Sequence, residues 1–323
     1  MNVEEIKQLH KEILWPTVRI RAVGAWGSGT IIYSEPDVEG KCRTYIISCY
    51  HVVEGNIKVE KKWDPSVGME VKKEIRSPVE VELFYYEPPK FSHAKGIAGS
   101  YRADIVAYDA DQDVVLLELD RVKRLDEAFL CWLFPREKIE GEIHIFDEVY
   151  AVGAAMGHEP IATKGTITFM DEVIDNYEYW MSTAQIIFGN SGGAVFRFSN
   201  ERERYEFIGV PARVAVSIQG FSTSPITHMG FFVPISRIYK VLEKNHYEFI
   251  FDSSKTYEQC RAEREKADAV ARKLFMAKFG EVDEREEPAE KSEYNLGTKP
   301  DYYQQIGELE KITVKDETLL KNI

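Results

Sequence analysis

Apolar residues in this chain fall into short runs separated by turn residues. Runs at 18–23, 29–34, 45–49, 79–86, 103–108 and 114–119 read as extended strands. A second set follows at 148–153, 164–169, 178–182, 194–198, 207–210, 214–218 and 230–233. No alternating helices separate them, so the pattern predicts an all-β antiparallel sandwich or barrel, and the two sets fit two barrels with a connecting stretch near 121–145. Helical spacing appears only towards the ends. Ile6, Leu9, Ile13 and Leu14 predict a helix within 1–14, stopped by Pro16. Tyr257, Cys260, Ala267, Val270, Ala271, Leu274 and Phe275 form an apolar stripe among charges, with Ser253 or Ser254 as the cap and Gly280 as the stop. Residues 55–102 are richer in insertions, with a charged tract at 58–73 and the loop Pro88-Pro89-Lys90-Phe91-Ser92-His93. The run from Glu281 to Pro288 is acidic and reads as disordered.

Composition narrows the class. The 323 residues are 44% hydrophobic, enough for a large core, and Tyr and Phe number 17 each, as suits strands. A net charge of −13 argues against a nucleic-acid binder. No apolar stretch is long enough to span a bilayer, and the first residues carry charge in place of an apolar leader. The four cysteines, Cys42, Cys49, Cys131 and Cys260, have no paired spacing, which fits reduced thiols and a cytoplasmic location. Cys49 reads as packing. The remaining histidines show no metal-ligand spacing, so neither metal nor cofactor is expected.

The candidate chemistry lies in three separated segments. Gly189-Asn190-Ser191-Gly192-Gly193-Ala194 puts a serine in a glycine-rich turn, where a substrate carbonyl can approach closely. A serine hydroxyl needs a base, and His51 in Ser48-Cys49-Tyr50-His51-Val52-Val53 is a candidate. The base needs an orienting carboxylate. Asp104, Asp109, Asp111 and Asp113 are available, and Asp113 is preferred because it directly starts the apolar run 114–117. Backbone N–H groups of Gly189 and Ser191, with Asn190 beside them, would hold an oxyanion. Singly, His51 also suits a structural histidine and Ser191 a turn residue. Their joint order His, Asp, Ser favours a catalytic set.

That order and its contexts resemble the trypsin-like (chymotrypsin-fold) serine proteases, most closely the HtrA/DegP type. Gly27-Ser28-Gly29-Thr30-Ile31-Ile32 is similar to that family's opening strand, and His51-Val52-Val53 to its histidine context. Val149-Tyr150-Ala151-Val152-Gly153, Lys164-Gly165-Thr166-Ile167 and Gly230-Phe231-Phe232-Val233-Pro234-Ile235 match its later segments in order. The resemblance implies two six-stranded antiparallel barrels over about 15–250, the first near 15–120, the second near 146–235, and a closing helix at 236–245. It implies a serine endopeptidase working through an acyl-enzyme on protein or peptide substrates. It also places Gln185, uncharged and six residues before Ser191, at the base of the specificity pocket, with Phe188 nearby. A small or medium aliphatic residue before the cut is expected.

The 251–323 extension is too short and charged for the peptide-binding PDZ module such enzymes usually carry. Its apolar stripe would dock on the protease domain or on a partner protein, and a homo-oligomer is an open expectation. The alternative to an active enzyme is a catalytically silent protease fold within a larger assembly. A serine esterase is disfavoured, because its residues would run Ser, Asp, His.

Overall fold

The computed structural model describes residues 2–65, 69–86, 96–120, 124–125, 129–219 and 222–279. The loop at 88–93, Gly280 and the acidic run after it lie outside them. The strands are β1 (Thr17–Ala22), β2 (Ala25–Pro36), β3 (Cys42–Ser48), β4 (Ile57–Asp64), β5 (Met69–Arg76), β6 (Val79–Tyr85), β7 (Gly96–Asp109) and β8 (Val114–Leu119). Then come β9 (Trp132–Leu133), β10 (Glu148–Gly153), β11 (Ile161–Ile174), β12 (Tyr177–Ser182), β13 (Ala194–Ser199), β14 (Arg204–Gln219) and β15 (Ser222–Pro234). Among the described residues the α-helices are α1 (Val3–Leu9), α2 (Tyr50–Val53), α3 (Ile139–Glu142), α4 (Ile235–Lys244) and α5 (Tyr257–Phe279).

The first strand set closes into a barrel in the order β1-β2-β3-β8-β7-β6, with β6 returning to β1. Alternate residues point inward, so Ile20, Ile31, Ile46, Val81, Leu117 and their neighbours are buried. Each such aliphatic side chain stabilises the fold by about 1.5–3 kcal/mol. Register matters for the site. Ser48 pairs with Val115 and Ile46 with Leu117. The end of β3, which leads into His51, therefore lies beside the start of β8, which Asp113 immediately precedes.

The second set runs β13-β10-β11-β12-β15-β14, and a β13–β14 pairing closes the ring. The fold is thus the all-β chymotrypsin-like pair of six-stranded rings expected from sequence. Three details differ from the strand pattern. The runs at 207–210 and 214–218 are one strand, β14, which continues through a bulge at Pro211. Proline is tolerated there because a bulge frees it from the ladder. Trp132–Leu133 adds a short parallel strand to β14. The charged tract after residue 57 forms the β4–β5 hairpin.

The N-terminal helix is capped by Asn2, which accepts from Glu5 N–H while the Glu5 carboxylate accepts from Asn2 N–H. It is α-helical to Leu9, and a π-helical turn, His10–Leu14, takes up the rest of the expected span. The closing helix is α4, with Ile235, Ile238, Val241 and Leu242 buried. The cap of α5 is neither Ser253 nor Ser254. Thr256 Oγ accepts from Gln259 N–H at 3.2 Å and Gln259 Oε1 accepts from Thr256 N–H at 2.9 Å, whereas Ser254 is held by Asp252. On the α5 stripe Cys260 is buried but Val270 and Leu274 are exposed.

The chain divides into two compact units, one of residues 1–57 and 76–263, the other of 58–75 and 264–323. Both strand rings and α4 belong to the first. Among the described residues no helix is long and apolar enough to cross a membrane.

Candidate active site

His51 sits in the one-turn helix α2, immediately after the extended Cys49. Tyr50 stacks on Tyr108 at 5.1 Å between ring centres, which anchors this helix against β7. The histidine ring is partly exposed, and its main chain and side chain both face Asp113. Asp113 Oδ1 accepts from His51 N–H at 3.0 Å, and the ring Nδ1 lies 2.8 Å from Oδ2. An ionised carboxylate can only accept, so Nδ1 carries the proton and Nε2 keeps a free lone pair. That is the tautomer a general base requires.

Asp113 is buried and its backbone is left-handed, with φ 54°. For a non-glycine residue this costs of order 1 kcal/mol or more and persists only where neighbours enforce it. The turn is tied by Asp113 N–H to Ala110 O at 3.2 Å and Gln112 N–H to Asp109 Oδ1 at 3.1 Å. Of the other carboxylates of the tract, Asp109 pairs with Lys244 and Asp104 with Arg102.

The serine loop owes its shape to glycine. Gly189 and Gly192 have φ of 95° and 85°. A Cβ on Gly189 would stand 2.6 Å from Ala154 O, and one on Gly192 would stand 2.1 Å from Ser48 Oγ. Asn190, grouped with the oxyanion donors from sequence, is engaged within the loop. Its N–H donates to Ile187 O at 3.1 Å and its Oδ1 accepts from Ile187 N–H at 3.1 Å, so it braces the loop from within. By contrast, among the described residues the N–H groups of Gly189 and Ser191 have no acceptor. The Phe188 carbonyl accepts from Met156 N–H at 2.8 Å. Carbonyl and amide of one peptide point in opposite directions, so this bond aims the Gly189 N–H the other way.

Ser28 is the residue that sequence reading passed over. Buried at the start of the barrel, its N–H donates to Ser191 O at 2.8 Å and its Oγ to Gly189 O at 2.6 Å. It accepts from Ala154 N–H at 2.7 Å, and its own carbonyl accepts from Ser48 Oγ. One small residue, through its side chain and main chain together, thus ties the loop to the segment that leads to His51. The signal lay in Gly27-Ser28-Gly29, which reads only as a strand opening.

His51 and Asp113 are in direct contact. Ser191 and His51 share no hydrogen bond among the described residues. Gly27 packs against the segments that follow His51 and carry Ser191: a Cβ there would meet the Val52 side chain at 2.6 Å and Ser191 O at 3.1 Å. Gln185 and Phe188 are both exposed, and the Gln185 carbonyl accepts from Thr163 Oγ at 2.7 Å. Between them Ile186 is buried, held by its N–H to Thr227 O and packed closely on Gly230.

Cys49, His51 and Asp113 bring three potential ligand atoms within 4.8 Å of one another, as do His246, Glu248 and Glu263. In the first group the carboxylate is already engaged by His51. Burial, then the Asp113 charge, pushes the Cys49 thiol well up, so it is a poor ligand and no rival nucleophile. In the second group Lys255 already pairs with Glu263 at 3.3 Å. All four cysteines are free and buried.

With this geometry in place the class is defined. Residues 27–203, more than half of the chain, match the trypsin-like peptidase domain, and the chain belongs to that family. Among solved structures it is similar to the HtrA-type protease AlgW with a tripeptide: 17% identity, TM-score 0.51, covering 76% of this chain and 64% of that one. A variant of AlgW, also with a tripeptide, matches at 16% identity and TM-score 0.51, covering 74% and 62%. The serine endoprotease from Yersinia pestis matches at 19% identity and TM-score 0.46, covering 74% and 65%. The chain therefore spans less than two thirds of the length of these relatives. No curated protein sequence matches it.

Proposed function

We propose that this chain is a serine endopeptidase acting on protein or peptide substrates through Ser191, His51 and Asp113. His51 Nε2 takes the Ser191 hydroxyl proton as Oγ bonds to the substrate carbonyl carbon. The N–H groups of Gly189 and Ser191 receive the resulting oxyanion. The intermediate collapses, the C–N bond breaks, and the imidazolium returns its proton to the leaving amine. Water, deprotonated by the same imidazole, then releases the acyl group from Ser191. Asp113 holds the tautomer and balances the imidazolium charge. In uncomplexed enzymes of this chemistry the serine–histidine bond is often long and tightens when substrate binds.

The observation that carries the reading is the pairing of His51 Nδ1 with Asp113 at 2.8 Å, which leaves Nε2 available as the base. The exposed Phe188 and uncharged Gln185 support a preference for an uncharged aliphatic residue before the cut. A fluorophosphonate probe tests the proposal. Wild type should be labelled at Ser191, and Ser191→Ala should take no label. Well-folded wild type that stays unlabelled would instead establish a silent protease fold. Mass spectrometry of a digested peptide library, with Ser191→Ala as control, then reads the cleavage preference.

A further inference from the structure

We infer that Arg237, in α4 at the end of the second ring, is a positioning residue that fixes the first-barrel turn presenting Asp113. The inference rests on the protease reading above. Arg237 is only 5% exposed, and its guanidinium faces Gln112, the residue before Asp113. Nε donates to Gln112 Oε1 at 2.7 Å and Nη2 to Gln112 O at 2.9 Å. Nη1 donates to Glu178 O on β12 at 2.6 Å. The group also lies over Tyr179 and Tyr177, 4.6 and 5.1 Å from their ring centres.

What this grip controls is a single peptide plane. The Gln112 carbonyl and the Asp113 N–H belong to one rigid unit. Arg237 holds the oxygen at one end, and Ala110 O accepts from the N–H at the other, at 3.2 Å. With that plane pinned, Asp113 is kept in its left-handed backbone, φ 54°, and its carboxylate is directed at His51. A second tie comes from the same helix, Lys244 Nζ to Asp109 Oδ2 at 2.8 Å. The second ring therefore sets the orientation of a first-barrel carboxylate. A planar fork reaches three acceptors while stacked on rings; a lysine ammonium at this place cannot.

The rate of fluorophosphonate labelling against pH is the test, measured on the full chain with folding checked by circular dichroism. Arg237→Lys and Arg237→Met should label Ser191 about tenfold or more slowly, the scale expected for a small displacement of a reacting group. The pH of half-maximal labelling should also fall, because a well-placed carboxylate favours the imidazolium and a loosened one favours it less. A purely structural Arg237 would lower the thermal midpoint and leave that pH unchanged. Gln112→Ala, which keeps the main-chain acceptor, should fold and shift the profile the same way by less. Folded Arg237 variants with wild-type rate and profile overturn the proposal, as does an unchanged Gln112→Ala beside an Arg237→Lys that fails to fold. A wild type that takes no label overturns the protease reading, and this proposal with it.

Discussion

The Ser28 hydroxyl donates to the Gly189 carbonyl at 2.6 Å, while the Ser28 amide donates to the Ser191 carbonyl at 2.8 Å. Two residues of the serine loop are thus fastened to β2 of the other ring by one residue, once through its side chain and once through its main chain. Ser28→Ala removes the first bond and leaves Ala154 N–H, which also bonds Ser28 Oγ, without its acceptor in a buried place. We expect a loss of about 1–3 kcal/mol in denaturant unfolding and a slower labelling of Ser191. Unchanged stability and labelling would show that the hydroxyl is dispensable.

Gly189→Ala should fold yet label at least about 100-fold more slowly. The added Cβ would meet Ala154 O at 2.6 Å, and the loop must move to relieve it. Movement there misaims one of the two open N–H groups, and losing one such donor costs about 100- to 1000-fold in rate. Single-turnover labelling kinetics measure this directly.

Asp113→Asn should keep the fold, because the amide oxygen still accepts from His51 N–H. Its NH₂ group, however, presents a donor to Nδ1 and forces the proton onto Nε2. The base is then lost, and labelling should slow by about 10⁴-fold. Wild-type rates in this variant would remove Asp113 from the mechanism.

Glu82 predicts a pH effect on stability. Buried on β6, it pairs with Arg19 and, at 2.8 Å, with Arg21. Burial alone would raise its pKa, but hydrogen bonds from Arg19 and then Arg21 outweigh it and hold the carboxyl below its ordinary 4.5. A depressed folded-state pKa stabilises above the unfolded value, and the contribution is lost as pH falls through the folded one. Glu82→Gln should therefore cost about 1–3 kcal/mol at neutral pH. That cost should shrink on acidification well below 4.5. Urea titrations at several pH values give the comparison, and a cost that does not vary with pH would contradict the assignment.

The residues proposed to do the chemistry stand out in the sequence because each occupies a local pattern. Asp113 immediately precedes an apolar strand, His51 closely follows one, and Ser191 lies among glycines, two of which take a left-handed backbone. The residues that aim them were not legible. Ser28, Met156 and Arg237 act on main-chain carbonyls of segments distant in sequence, and nothing in their own neighbourhoods records those partners. In the fold, the β4–β5 hairpin escaped notice because β4 has no buried face, being exposed or half-exposed throughout. Strand β14 was split in two because Pro211 reads as a breaker. Its bulge instead turns the Pro211 carbonyl to accept from Gly192 N–H at 3.0 Å and from the Cys49 thiol at 3.3 Å.

The shelter given to Cys42, Cys49, Cys131 and Cys260 turns the thiols into clocks for opening of the native state. An alkylating reagent can reach them only when the surrounding elements part. Capture at Cys42 and Cys49 times separation at β3 and the turn beyond it, and capture at Cys260 times release of the first turns of α5. Comparing these rates within one sample would rank the two regions by how readily each comes undone, with no probe added to the sequence.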